Sequence, residues 1–326
     1  MALLKTSFIW NNLTLKNRLV LPPMATAKAD EQGKVTEDLV SFYREKTRGG
    51  HLGLVILEHS YINRNGRVRD TQLSLAEDEA LAGVTKLVEE IHQNGSPVIA
   101  QINHGGAMAA EGGIAPSAVN HPRAKDAPLP REMGTEDIEQ LKRDFAAAAA
   151  RAKAAGFDGV EIHAAHGYLL NQFYSPLTNL RSDEYGGSLE KRVRLIVEVI
   201  AAVREAVGQE YPLAVRLGGC DYLDGGSTEE DAVQAAVLLE QAGADLLDLS
   251  GGMCGYMRAD HTEAGYFASM TEKIKAKVSV PVILTGGVKQ AAEAEELLQR
   301  GKADLIGVGR AILADSAWAE RELKTV

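Results

Sequence analysis

Eight short apolar segments, each followed by a stretch with helical spacing, predict a single (β/α)8 barrel of the α/β class. Two further observations agree with that count. The apolar segments are near-continuous rather than alternating, as parallel strands covered on both faces are. The turn into a strand also repeats, as Ala155-Gly156-Phe157-Asp158, Ala242-Gly243-Ala244-Asp245 and Lys302-Ala303-Asp304. In these turns glycine ends a helix and lets the chain swing back into the barrel. The chain has 326 residues, ordinary for a barrel that typically takes ~250 and tolerates insertions. No linker interrupts it, so residues 1–326 read as one domain.

The elements follow in order. After a short lead at 7–16, Leu19–Leu21 is the first strand, stopped by Pro22-Pro23. Thr36 caps a helix to Arg48, and Gly49-Gly50 ends it before the second strand, 54–57. A charged loop, 63–70, leads to a helix at about 77–93 and a third strand at 98–102. Residues 107–130, rich in proline and glycine, form a loop long enough to suggest a functional role. Thr135 caps an alanine-rich helix to Ala155, and the fourth strand ends at His163. A glycine-punctuated loop precedes the amphipathic helix 189–207. The remaining strands are 213–217, 246–249, 282–284 and 305–308, separated by helices beginning at Thr228, near Met270 and at Glu293. A short helix closes the chain.

Composition narrows the function. A formal net charge of −10 argues against nucleic acid and anionic membrane surfaces as partners. No apolar run is long enough to span a membrane, and no signal peptide is seen, so a cytoplasmic protein is expected. With only Cys220 and Cys254, a disulfide framework is excluded, and a four-cysteine iron–sulfur cluster has no ligand set.

In a barrel of this kind the chemistry sits where strands end. His163 and His166, three apart at the end of the fourth strand, are followed by Tyr168. Two imidazole N–H groups can both donate to an oxygen that becomes negative, and a phenol can deliver a proton. His104, after the third strand, would complete a three-histidine metal site as the competing reading. Arg216, between apolar neighbours in the fifth strand, is either paired with Glu161 or Asp248 or faces an anionic ligand. Gln101 is either a satisfied core amide or a ligand contact. Gly286-Gly287 and Gly309-Arg310, after the seventh and eighth strands, match the usual phosphate position of these barrels.

The segments NRLVLPPM, VIAQINHGG, EIHAAHGYLLNQFYSPLTNLRSDEYGGSLEKR, LAVRL, LTGGV and GVGRAIL resemble the old yellow enzyme family of FMN-dependent ene-reductases, in particular its bacterial members. The resemblance covers almost the whole chain. It implies that Pro22, Pro23, Met24, Ala25 and His59 lie along the flavin ring. It implies that Gln101 bonds the pyrimidine edge and that Arg216 faces the region where negative charge gathers on reduction. Gly286, Gly287, Gly309 and Arg310 would bind the phosphate of FMN. His163 and His166 would hold the substrate oxygen, with Tyr168 as proton donor. NADPH or NADH would supply the hydride, and an activated alkene (enone, maleimide or nitroalkene) would accept it. The partners expected are therefore these small molecules, and a homo-oligomeric state stays open. Ala25 stands where relatives often carry Cys or Thr, and Ala27 where some carry a substrate-binding Tyr. The chain ends at Val326, without the C-terminal arginine that some relatives insert into a neighbour's site. Two other readings remain: a generic flavin, quinone or nitro reductase or redox-sensing flavoprotein, and a metal-dependent barrel hydrolase using His104, His163 and His166.

Overall fold

A computed structural model describes residues 2–110, 112–259 and 261–326. Its strands are β1 (Leu19–Leu21), β2 (Leu54–Ile56), β3 (Val98–Asn103), β4 (Gly159–Ala164), β5 (Leu213–Cys220), β6 (Leu246–Gly251), β7 (Val282–Thr285) and β8 (Leu305–Gly307). Neighbours pair in parallel through the whole series, and β1 also pairs with β8, so the sheet closes on itself. The helices between strands are α1 (Glu37–Thr47), α2 (Leu81–Gln93), α3 (Thr135–Ala154), α4 (Leu189–Val207), α5 (Glu229–Gln241), α6 (Ala268–Lys275) and α7 (Ala291–Gln299). The chain is an eight-stranded α/β barrel.

The period-2 alternation of each strand divides the core in two. Outward residues such as Val160, Ile162, Val215 and Leu247 pack under the helices. Inward residues near the strand starts (Val20, Leu54, Ile99, Ala214, Leu246, Ile283 and Leu305) form a separate inner cluster with Trp10 and Leu15. Those two come from an antiparallel hairpin, Phe8–Trp10 with Leu13–Leu15, which plugs the N-terminal end of the barrel. One step further along the strands the interior becomes polar, with Gln101, Glu161, Arg216 and Asp248 all buried. A further step brings Asn103, His163 and Ser250. The barrel thus runs from hydrocarbon at its base to imidazole at its mouth.

The repeated turns have a common function at that base. The carboxylates of Asp158, Asp245 and Asp304 accept the N–H of Val98, Leu213 and Val282 at 2.7, 3.0 and 2.9 Å. Each aspartate returns its own N–H to the carbonyl of the same residue, at 2.9, 2.8 and 2.9 Å. Strands β3–β4, β5–β6 and β7–β8 are therefore clamped in pairs. For β1–β2, Gly53 donates to the Leu19 carbonyl at 2.9 Å, and the Asn17 amide oxygen takes the Leu19 N–H at 3.0 Å. A side chain on Gly53 would stand 2.2 Å from the Asn17 carbonyl, so glycine replaces aspartate there.

Several boundaries differ from the sequence reading. The lead contains the hairpin. The region assigned to a loop after β4 holds a short helix, Leu169–Tyr174, and all six of its residues are buried. Helix α2 starts at Leu81 after a 3-10 turn, Asp78–Ala80. Gly134, rather than Thr135, precedes the first turn of α3, and Asp137 accepts its N–H at 2.8 Å. Within the long loop, Ile114–Ala115 pairs in parallel with Arg131–Glu132. Among the described residues no helix is long and apolar enough to cross a membrane.

Candidate active site at the barrel mouth

Strand β4 carries His163 inward near its end, and the chain then reverses at His166 and Gly167, with φ of +60° and +74°. Glycine suits such a turn, whereas a left-handed histidine is uncommon and held by its surroundings. Here the His166 N–H donates to the Gly251 carbonyl at 3.2 Å, and Arg123 donates to the His166 carbonyl. The reversal brings the rings together. His163 lies 5.0 Å from both His166 and Tyr168, centroid to centroid, edge to face in each case. His59, from the end of β2, lies 6.1 Å from His163 and 5.3 Å from Tyr168.

Hydrogen bonds orient these rings. The Ala165 N–H donates to Nδ1 of His163 at 3.2 Å, which leaves the proton on Nε2. Nδ1 of His59 takes the side-chain amides of Gln72 and Asn103, at 2.9 and 3.2 Å. His166 Nε2 is 2.8 Å from the Ser250 hydroxyl. Burial is the first cause that keeps all three neutral. It pushes His59 down to about 4, helped by the charges of Arg69 and Arg216. It holds His163 and His166 well below the ordinary histidine range, with Arg216 and His59 contributing to both. Burial also raises the Tyr168 phenol, against the pull of Arg123, Arg69 and Arg216. Neutral imidazoles and a protonated phenol are therefore the working states near neutral pH.

Beneath them, Gln101 Nε2 donates to Glu161 Oε1 at 2.7 Å. Arg216 Nε stands 3.2 Å from Asp248 Oδ2, its register partner on β6. The pair is close enough for charge but too poorly aligned for a hydrogen bond, so Arg216 Nε and both Asp248 oxygens remain without one. Of the two partners considered for Arg216, Asp248 is the one that meets it. Burial raises Asp248 to about 6 and Glu161 well above the carboxylate range, and the negative charge of Asp248 adds to the shift of Glu161.

The glycine pairs lie on the adjoining arc of the mouth. A side chain on Gly309 would be 3.3 Å from Pro22 and 3.4 Å from Met24, so the ends of β8 and β1 meet there. Gly286 and Gly287 have φ of +157° and +75°. Side chains there would stand 2.7 Å from the Tyr266 ring and 2.0 Å from the Glu263 carbonyl. Arg310 is exposed, with Nη1 3.5 Å from the Met257 sulfur. Pro23 is half-buried and Ala25 exposed on the loop after β1. His104 packs against Gly66, with its Nδ1 taking the Gly106 N–H at 3.0 Å. Among the described residues no group of three or more His, Cys, Asp or Glu stands where it could hold a metal ion.

Residues 8–325 match the NADH:flavin oxidoreductase / NADH oxidase family. The chain belongs to that family. It is 40% identical over 317 residues to the NADPH dehydrogenase of Bacillus subtilis, covering 96% of this chain and 92% of that protein. It is 39% identical over 321 residues to the NADH oxidase of Thermoanaerobacter brockii, covering 95% of this chain but 49% of the relative, so it spans about half that protein's length. The old yellow enzyme homologue of Zymomonas mobilis superposes with a TM-score of 0.86 at 27% identity, over 99% of this chain and 93% of the other. Morphinone reductase, solved with tetrahydroNAD, gives 0.84 at 28%, over 99% and 90%. The old yellow enzyme resemblance of the sequence is thus established, and with it FMN as cofactor and NAD(P)H as hydride donor.

The residues present fit that cofactor. A buried guanidinium with unmet hydrogen-bonding capacity lies below the mouth, and Gly286 and Gly287, where a side chain would clash, line one arc of it. The sequence reading missed the residues that set the site from other segments. Ser250 stands at a strand end in the sequence but without a role there, and Asn103 was reachable, because both continue the inward alternation of Ile99-Gln101 and Leu246-Asp248. Gln72 and Arg123 lie in loops and carry no periodic signal.

Proposed function

We propose that residues 1–326 act as one FMN-binding unit that reduces activated alkenes with NAD(P)H. The observation that carries this reading is the fixed His163 ring beside His166 and Tyr168. Bound FMN supplies the hydride, accepted from the nicotinamide and delivered to the β-carbon of the alkene. His163 Nε2–H and, with the Ser250 hydroxyl donating to Nε2, His166 Nδ1–H donate to the substrate's carbonyl or nitro oxygen. That oxygen becomes negative as the β-carbon is reduced, so two fixed neutral donors act where the charge develops. The Tyr168 O–H gives its proton to the α-carbon. Pro22, Pro23, Met24, Ala25 and His59 form the wall for the ring system, and Gln101 and Arg216 its polar edge. Gly286, Gly287, Gly309 and Arg310 take the phosphate. The orphaned Arg216 Nε supports the charge-facing role, since a buried cation lacking a full hydrogen-bond set favours an anion.

The direct test is anaerobic. Holoenzyme bleached by NADPH should regain its flavin absorption on adding 2-cyclohexenone. Recovery with oxygen alone would favour a generic flavin reductase instead. Tyr168→Phe should slow reoxidation by the enone on the order of 10²-fold, the usual scale of acid catalysis, while reduction by NADPH stays near wild type. Equal losses in the two half-reactions would remove Tyr168 as proton donor.

A further inference from the structure

His59 is an unusual neighbour for an acid catalyst. Its ring lies 5.3 Å from that of Tyr168, tilted by 32°. Two separate amides, from the loop after β2 and from the end of β3, direct their N–H groups at its Nδ1. The Gln72 amide also donates to the His59 carbonyl at 3.2 Å, which pins the residue from both sides. Two donors on Nδ1 leave only one neutral tautomer, with the proton on Nε2. The side chain of Gln72 is tied down in turn, its Oε1 accepting the Val68 N–H at 2.7 Å. His59 is 6% exposed and Gln72 3%. Packing against a flat ring system would not require this set of bonds, because any apolar side chain would fill that role.

We propose that His59 is a positioning residue for proton transfer, its Nε2–H held ready as a hydrogen-bond donor to the oxygen of Tyr168. This rests on Tyr168 being the proton donor. As the Tyr168 O–H bond breaks, the α-carbon forms its C–H bond with the electron pair of the enolate. A phenolate remains, and His59 donates to it without giving up its own proton. Tyr168 then recovers a proton from water. The donor is stronger toward phenolate than toward phenol, so it lowers the barrier to transfer. Arg69, Arg123, Arg216 and His163 also face this pair, but none of them is held by a comparable pair of amides.

The test compares His59→Leu, which keeps bulk without a donor, with His59→Gln, which restores an N–H. Both are measured in the holoenzyme by single-turnover kinetics. His59→Leu should lower the rate of flavin reoxidation by 2-cyclohexenone about tenfold, as expected for loss of one hydrogen bond to a charged group. The loss should be greater in reoxidation by the enone than in reduction by NADPH, and His59→Gln should recover most of it. Placed on Tyr168→Phe, His59→Leu should cost nothing more. Equal loss in both half-reactions, absence of rescue, or full additivity with Tyr168→Phe would each overturn the inference. If His59→Leu fails to hold flavin, Gln72→Leu serves instead, with a smaller loss confined to reoxidation expected and an unchanged rate overturning the proposal. Nitrogen-15 spectra of labelled holoenzyme give a readout independent of turnover: His59 should carry its proton on Nε2 alone, and a mixed tautomer would count against it. If Tyr168→Phe itself leaves enone reduction intact, the proton-donor reading falls first and is recognised separately.

Discussion

Glu58 is the carboxylate whose environment departs most usefully from water. It is 2% exposed beside His59, and burial raises it from 4.5 to about 7, although Thr26 donates its N–H at 3.2 Å. The folded state therefore holds a proton that the unfolded chain releases between those values. Its contribution is complete below about 4.5 and is lost as pH rises through about 7. Asp248, raised to about 6 chiefly by burial, acts in the same direction. Urea denaturation of wild type and Glu58→Gln at pH 5 and 7.5 should show the difference between them changing by about 2 kcal/mol, with wild type losing the most at the higher pH. A constant difference would mean that Glu58 is ionised throughout. At this scale the sequence revealed residues whose meaning is local. His163, His166 and Tyr168 were legible because a strand end and a short spacing place them together. The ring tautomers were not, because the groups that set them (Gln72, Asn103, Ser250) arrive from other segments.

The turns that end helices and those that line the mouth use glycine for different reasons. Gly301 has φ +68°, and a side chain there would meet nothing within 4 Å, whereas Gly287 at +75° would place one 2.0 Å from the Glu263 carbonyl. Gly301→Ala should therefore cost only backbone strain, on the order of 1–2 kcal/mol, with flavin affinity unchanged. Gly287→Ala must push the segment around Glu263 and Tyr266 outward and should weaken FMN binding at least about tenfold by fluorescence titration, equivalent to ~1.4 kcal/mol. Equal flavin affinity in the two variants would show that Gly287 serves only the turn. Element legibility followed amphipathic contrast. Helix 189–207 was read to the residue because its buried stripe alternates with charge. The helix at Leu169–Tyr174 was missed because burial on every side erases the period. The hairpin strands of three residues are too short to show one.

Across the whole molecule, chemistry and cohesion occupy opposite ends of the barrel. Trp10 is 2% exposed within the inner cluster at the base, far along the strands from the histidines. Trp10→Ala should cost about 3–5 kcal/mol in urea denaturation and leave both half-reactions of the remaining folded enzyme unchanged. A matching loss of turnover would indicate that the base and the mouth are coupled. The count of strands, their order and the parallel sheet were legible because near-continuous apolar segments alternate with helical spacing and the repeated turns mark three of the returns. The closing plug was not, because nothing in a short lead says which cavity it fills. The paired strand clamps have one more consequence. Lys5 Nζ donates to the Val326 carbonyl at 2.7 Å, so residues 5 and 326 lie within reach of a short linker. A circular permutant opened at the exposed turn 208–210 keeps every clamped pair contiguous, while one opened at 155–157 must assemble the β3–β4 pair from its two extremities. The barrel behaves on this reading as four repeated modules with preferred seams. The first permutant should refold faster than the second at equal stability, since it closes the shorter loops.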